Sequence, residues 1–405
     1  MAVPVLNDVS RECRLRVLHV IPSISSVHGG PTRALQQMVL AMATTNVALD
    51  VATTDDDGRK RRLDASTKAK NPFFPQVFYF RKATEFYKVA PSFLLWFWRN
   101  VKSYDAVHIH ALFSFVSVTA AAISMLRRAP YILRPLGTLS AYGVTKRRPL
   151  LKRLSLACIE GPLLRRAAAV HFTSDAELRD AADLGLPIRG VVIPLAAEPF
   201  AGAAPPKNSM QSGSTSHAPT ILYLSRLDPK KNLEGLLRAM QLVCERLPTV
   251  RLVVAGGGEP SYVSSLHRLA TELGVSSSVD WAGFVEGDAK TSLFRRATIY
   301  VLPSFSENFG IAVAEALAAG LPCVVSTGVA LSSDIAEYGA GVVVPPDSGA
   351  IAEAVINLLG DAQKRKLVSA NATRLARERF SVASMRIGLS SLYNRVSKRG
   401  EAATA

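Results

Sequence analysis

The sequence predicts an α/β protein of two Rossmann-like domains whose mainly parallel sheets face each other across a cleft. Three observations carry that expectation. The chain has 405 residues, too long for one ordinary core and suited to two of about 200 residues each. Short apolar runs alternate with amphipathic helical stretches in both halves, the pattern of parallel strands covered on both faces. Between the halves, residues 201–219 (AGAAPPKNSMQSGSTSHAP) are small, polar and proline-containing without apolar periodicity, which is linker composition. The expected domains are therefore 1–200 and 220–380, with residues 381–405 forming a C-terminal helix placed to pack back on the first domain, then a disordered tail.

In the first half, residues 15–21 read as a strand, followed by Gly29-Gly30-Pro31 and a helix over 32–44. A strand over 48–54, a polar turn through Asp57-Gly58 and a strand over 76–80 come next, and further strands are expected at 106–109, 131–134 and 169–173. The second half repeats the alternation, with strands at 221–225, 251–255, 279–282, 299–302, 323–326 and 341–344, and helices at 232–246 and 262–273. The apolar stretch 111–126 carries Ser114, Ser117, Thr119 and Ser124, so it is short and polar for a bilayer span and reads as a buried helix. FLLWFW at 93–98 fits either core or an interfacial aromatic patch.

Composition narrows the function classes. Cys13, Cys158, Cys244 and Cys323 are far apart and form no C-x-x-C pair, so neither a zinc site nor a disulfide framework is encoded, and a reducing cytoplasm fits. Asp8 and Glu12 interrupt residues 1–16, which therefore do not read as a signal peptide. The net charge of +16 is concentrated in residues 1–200, where 27 Lys and Arg stand against 15 Asp and Glu; charge alone leaves nucleic acid, anionic lipid and phosphorylated substrates open. Asp55-Asp56-Asp57 superficially matches a metal-binding D-x-D, but Arg59, Lys60, Arg61 and Arg62 follow it, and it reads as a solvated loop neutralised by those cations. No metal site is expected.

The chemistry concentrates in SFSENFGIAVAEALAAG, residues 304–320, which places Glu307 in a loop and Glu315 inside a helix apolar on every side. A carboxylate buried there needs a partner, and both a ribose with two adjacent hydroxyls and an Arg would serve. Asn308-Phe309-Gly310 stands where a helix begins, either as a phosphate-binding N-terminus or as a capping turn. In SRLDPKKN, residues 225–232, Arg226 and Lys231 follow a strand, where two fixed cations stabilise a departing diphosphate; solvated surface charge is the plain alternative.

Together with AGGGEP (255–260) and WAGFVEGD (281–288), these motifs resemble the retaining GT4 glycosyltransferases of GT-B fold, those that build polysaccharides and exopolysaccharides in particular. HVIP at 19–22 followed by Gly29-Gly30-Pro31, DAVHIH at 105–110, RPLGTL at 134–139 and HFTSDAE at 171–177 resemble segments of the same family. The resemblance implies that Arg226 and Lys231 hold the donor diphosphate, that Glu307 contacts hydroxyls of the transferred sugar, and that Glu315 binds the ribose. It places Gly29, Gly30, Gly256, Phe284, Val285, Asn308, Phe309 and Gly310 around the donor and His110 near the reacting carbon. A histidine that ends a strand is otherwise more often structural. The resemblance further implies a UDP- or GDP-linked sugar as co-substrate, with no other cofactor, and a front-face displacement that retains anomeric configuration. Pro194 to Glu198 departs from the Asn-Gly-Val-Asp turn of many members, leaving that edge less defined.

Residues 142–166 hold seven Lys and Arg against one Glu with leucines between them. Lys146, Arg147, Arg148, Lys152 and Arg153 are the expected contacts to anionic phospholipid or a polyprenyl-diphosphate acceptor, with the protein peripheral on the inner face of the plasma membrane. Two alternatives stand beside a transferase. A GT-B-type epimerase or hydrolase would share the donor site. A basic nucleic-acid-binding protein would explain the charge but not the strand-end motifs, and no nucleic-acid module or nucleic-acid partner is expected.

Overall fold

The structure is a computed structural model that describes residues 15–25, 27, 29–69, 73–85, 87–139, 149–197 and 218–397. It divides into two compact units, Met1–Ile193 with Met385–Ala405, and Pro194–Ser384. The break falls at Ile193 rather than 200, and most of the linker stretch 201–219 lies outside the described residues.

The first unit is built on β1 (Leu15–Ile21), β2 (Val47–Thr54), β3 (Val77–Phe80), β4 (Ala106–His110), β5 (Tyr131–Arg134), β6 (Ala169–Phe172) and β7 (Gly190–Val192). They lie in the order β3-β2-β1-β4-β5-β6-β7, every pair parallel. The second unit holds β8 (Thr220–Leu224), β9 (Arg251–Ala255), β10 (Val279–Gly283), β11 (Ile299–Leu302), β12 (Cys323–Ser326) and β13 (Gly341–Val344), in the order β10-β9-β8-β11-β12-β13 and again parallel. Both sheets are doubly wound. Each therefore reverses its winding direction once, between β1 and β4 and between β8 and β11, and loops at the carboxyl ends of those strands diverge to leave room for a ligand.

Strands such as Tyr131–Arg134 and Ile299–Leu302 are buried at every residue, because helices cover both faces. The helix Gly30–Met42 starts after Gly29, whose φ of 59° needs a glycine, with Pro31 in the first turn; it buries Ala34, Leu35, Met38 and Met42. The apolar stretch 111–126 yields a helix over Phe115–Leu126 only, since Ala111 and Phe113 take φ of 72° and 56° first. Among the described residues no helix is long and apolar enough to cross a membrane. Phe93 and Phe97 of the helix Pro91–Asn100 are fully buried, each stabilising by about 1.5–3 kcal/mol, while Leu94, Leu95 and Trp98 stay exposed. FLLWFW is thus both core and surface patch, split by helical periodicity.

The Asp triplet corrects the sequence reading. Asp55 and Asp56 are buried, Asp56 paired with Lys82 (2.6 Å) and Lys88, and Asp55 with Lys68 at 3.7 Å, so they are not a solvated loop. Asp55 accepts the Lys82 amide at 2.8 Å, and Asp57 accepts the Ser25 hydroxyl at 2.5 Å. The triplet is a structural knot tying the loop after β2 to the segment after β3. At the other end of the chain, the helix Val382–Val396 crosses into the first unit: Arg386 donates to the Ala41 carbonyl at 2.8 Å, and Gly388 leaves room for Ile193.

Candidate functional site

The reversal point of the second sheet carries the most organised cluster of charge. After β8 the chain runs close beside the loop after β9: Ser225 donates to Ala255 O (3.1 Å) and Leu227 to Gly257 O (2.9 Å). Gly256 makes this approach possible, because at its φ of 144° a Cβ would lie 1.8 Å from the Ser225 carbonyl oxygen. Asp228 then caps a short turn, Pro229–Lys231, by accepting the Lys230 amide at 3.0 Å. Asn232 follows in the left-handed region. Its amide donates to Pro303 O (3.1 Å) and Pro346 O (2.9 Å) and its oxygen accepts Gly235 N (3.2 Å), so one side chain fastens three strand-end loops.

This stitching sets Lys231, 6% exposed, against Glu307, to which its ammonium is ion-paired. Glu307 is itself fixed through its backbone, donating to Gly328 O (2.8 Å) and accepting from Ala330 N (3.0 Å). Lys230 lies alongside with its pKa lowered, first by burial and then by Lys231; Arg226 acts in the same direction, while Glu307 and Asp228 oppose. Arg226, Lys230, Lys231 and Glu307 therefore share one electrostatic neighbourhood. Arg226 is exposed to solvent at its edge, and the buried hydroxyls of Tyr223 and Ser304 have no hydrogen-bond partner among the described residues. Cations, a fixed carboxylate and unspent hydroxyls together suit a polyanionic, hydroxyl-bearing ligand.

Gly310, at φ 86°, opens the helix Ile311–Ala318, and a Cβ there would crowd Val313 and Glu307 at 3.1 and 3.3 Å. Glu315 on that helix is 3% exposed, and Lys290 of the helix Gly287–Arg296 reaches it. Phe309 turns its ring inward, edge-on to Phe380 at 5.7 Å, so it can meet a ligand through its backbone alone. Asn308 is exposed, as is Phe284 at 72%, which follows β10 beside Gly257; Val285 is half-buried. Gly256 serves the loop packing described above.

In the first unit, Gly29 and Gly30 stand at the start of the helix that follows β1. His110 ends β4, fully buried, within a cluster of His19, His108, His171 and Tyr393. Burial lowers the pKa of all four histidines, His19 and His171 to about 3, and the Arg134 guanidinium adds to this. Arg134 is 2% exposed, with its own pKa lowered to about 10 by burial. The ring nitrogens of His19, His108 and His110 lie within 4.8 Å of one another, near enough for one ion; both nitrogens of His19 and His108 and the Nε2 of His110 are engaged in direct hydrogen bonds. Glu177 accepts Gly137 N (2.6 Å), Thr173 N (2.8 Å) and Thr173 Oγ1 (2.9 Å), holding the loops after β5 and β6 together. Lys146, Arg147 and Arg148 lie outside the described residues, as does the side chain of Arg153, while Lys152 is half-buried on the helix Pro149–Ser155. Sequence reasoning missed Lys290 and Tyr393, whose partners are distant in sequence and follow no local pattern.

Two doubly wound units with loop-borne charge at the strand ends define a GT-B fold. Sucrose-phosphate synthase of Thermosynechococcus elongatus superposes with a TM-score of 0.73 at 19% identity, over 97% of this chain and 100% of that one. HepE of Anabaena, solved with UDP and glucose, superposes with 0.72 at 20% identity, over 94% and 99%. Residues 29–196 match the glycosyl transferase 4-like domain, and residues 206–375 match glycosyl transferases group 1. Both matched models are of glycosyl transferases, and side by side they run through most of the chain. An uncharacterized glycosyltransferase of Methanocaldococcus jannaschii is 38% identical over 162 residues, covering 40% of this chain and 41% of the relative. The D-inositol 3-phosphate glycosyltransferase of Corynebacterium glutamicum is 30% identical over 193 residues, 46% of each. The chain thus spans less than half the length of these curated relatives.

Proposed function

We propose that the chain is a retaining glycosyltransferase that moves a sugar from a UDP- or GDP-linked donor to a glycan or polyprenyl-diphosphate-linked acceptor in cell-surface or exopolysaccharide synthesis. The observation that carries this reading is the Lys231–Glu307 pair beside Arg226 at the β8/β11 reversal. Arg226 and Lys231 neutralise the diphosphate as it departs, the amides opening the Ile311–Ala318 helix add partial positive charge, and Glu307 takes hydroxyls of the sugar. Glu315, steadied by Lys290, is the carboxylate offered to the ribose. A phosphate oxygen of the leaving group assists removal of the acceptor proton, so no enzymic carboxylate nucleophile is required.

Thermal shift with UDP, GDP and their sugar conjugates tests the donor site, since a ligand of the folded state stabilises it by mass action. The expected result is a higher melting temperature with one nucleotide and a further rise with its sugar conjugate. No rise with any of them overturns the reading. Product analysis then separates transfer to an acceptor from epimerisation or hydrolysis.

The acceptor side of the same proposal is a peripheral membrane attachment on the inner face. Exposed Leu94, Leu95 and Trp98 support it, with the Arg127 guanidinium stacked 4.9 Å over Trp98 and Leu126 67% exposed beside it. Co-sedimentation with vesicles rich in anionic phospholipid should be lost in a Trp98→Asp, Arg127→Glu variant. Equal sedimentation of both proteins would exclude this surface.

A further inference from the structure

The buried histidines form a hydrogen-bonded chain whose direction is fixed from one end. His171 Nε2 lies 2.9 Å from the Ile193 carbonyl oxygen, which only accepts, so the proton of His171 sits on Nε2 and its Nδ1 must accept. The group facing that Nδ1 is His108 Nε2, at 3.3 Å, which is therefore the protonated nitrogen of His108. His108 Nδ1 then accepts from the Tyr393 hydroxyl at 3.0 Å. Having spent its proton, the Tyr393 oxygen accepts from His19 Nε2 at 3.2 Å. His19 Nδ1 in turn accepts from His110 Nε2 at 2.9 Å. The chain ends on His110 Nδ1, a buried lone pair with no donor among the described residues.

Each step holds only while every ring is neutral. Complete burial beside the Arg134 cation keeps them so. Arg134 also stands opposite His110 in register on β5, and its Nε and Nη1 are buried donors that lack an acceptor among the described residues. A bare acceptor next to bare donors does not suit a phosphate oxygen, which offers nothing to His110. It suits a hydroxyl, which donates to an imidazole nitrogen while its oxygen accepts from a guanidinium. The non-glycine residues Ala111 and Leu136, just after β4 and β5, hold φ of 72° and 57°, so the backbone at this end of the sheet is strained, as is common beside binding sites.

We propose that Tyr393 and His171 are positioning residues that lock His110 in its Nε2–H tautomer, so that the Nδ1 it presents accepts from a sugar hydroxyl and discriminates against phosphate. The C-terminal helix is thereby a working part of the first unit's site. This rests on the glycosyltransferase reading for the identity of the ligand, but the tautomer assignment stands by itself.

Long-range proton–nitrogen NMR of the histidine rings tests it on the intact wild-type protein. His19, His108, His110 and His171 should all appear as neutral Nε2–H rings; an Nδ1–H ring at any of them overturns the proposal. In Tyr393→Phe the His19 Nε2 proton loses its acceptor. His19 then favours Nδ1–H, which donates to His110 Nε2 and drives the His110 proton onto Nδ1. The expected signature is mixed tautomers at His19 and His110. With it comes about a tenfold loss in kcat/KM for the sugar nucleotide or for the glycan acceptor, the scale of one hydrogen bond, with binding of the free nucleoside diphosphate unchanged. Which substrate suffers identifies whose hydroxyl His110 reads. Unchanged tautomers, or equal losses for the free diphosphate, make Tyr393 a packing residue and overturn the proposal. A wild-type protein with the stated tautomers and no nucleotide affinity would instead sink the proposed function alone.

Discussion

Lys231→Ala lowers sugar transfer by at least about two orders of magnitude, the scale of losing one transition-state contact. Lys231 is 6% exposed and held by a turn that Asp228 and Asn232 both fasten, so its ammonium is already in place when charge develops on the leaving group. Removing it also strands Glu307, whose backbone is pinned to Gly328 and Ala330 and cannot swing away. Part of the loss therefore reaches the sugar as well as the diphosphate. Glu307→Ala should cost a similar factor in turnover while leaving the cation in place, so nucleoside diphosphate affinity should survive in Glu307→Ala and fall in Lys231→Ala. Steady-state kinetics with the donor found by thermal shift, beside direct titration of the free diphosphate, measures both. Near-normal transfer by either variant would remove the pair from the mechanism.

Mild acid should unfold the first unit. His19 and His171 have pKa values near 3 in the folded protein, and those of His108 and His110 are well below the ordinary value. In the unfolded chain each would titrate near 6.5. Between these limits the unfolded state binds more protons than the folded one, so stability is fully present above about pH 6.5 and declines as pH falls. From pH 7 to pH 5 His19 and His171, with folded values near 3, each forfeit about 2 kcal/mol, and His108 and His110 act in the same direction, against a whole stability of about 5–15 kcal/mol for an ordinary domain. Most carboxylates titrate below that window, which isolates the histidines. Melts recorded at half-unit steps from pH 7 to pH 5 should show a continuous fall with proton uptake on unfolding. A melting temperature unchanged across the range would mean that these rings are not buried neutral in the folded protein.

The strands were legible because burial on both faces writes continuous apolar runs, as in YILR at 131–134 and IYVL at 299–302. Gly190–Val192 is too short and too exposed to leave such a mark, and the helix Gly287–Arg296 buries only Phe294, so its sequence reads as polar surface. That helix supplies Lys290, the partner of Glu315. The helix Asp175–Ala182 did carry a readable signal: Ser174 accepts the Glu177 amide at 3.1 Å, the S-x-x-E pattern of a helix start. In the site, Arg226, Lys231 and Glu307 follow strands and could be read from their position. The pairing of Lys231 with Glu307 spans 76 residues and that of Tyr393 with His108 spans 285, and nothing local encodes either. The Asp triplet misled for the same reason, since Lys82 and Lys88, which pair with Asp56, lie beyond β3 rather than next to it.

Direct visualisation of bound nucleotide is the decisive measurement: a crystal structure of this chain with UDP or GDP. The expected result is a diphosphate within hydrogen-bond distance of both Lys231 Nζ and the Arg226 guanidinium, above the β8/β11 reversal. A nucleotide seated elsewhere, with Lys231 and Glu307 bound only to each other, would contradict the assignment of this cluster as the donor site.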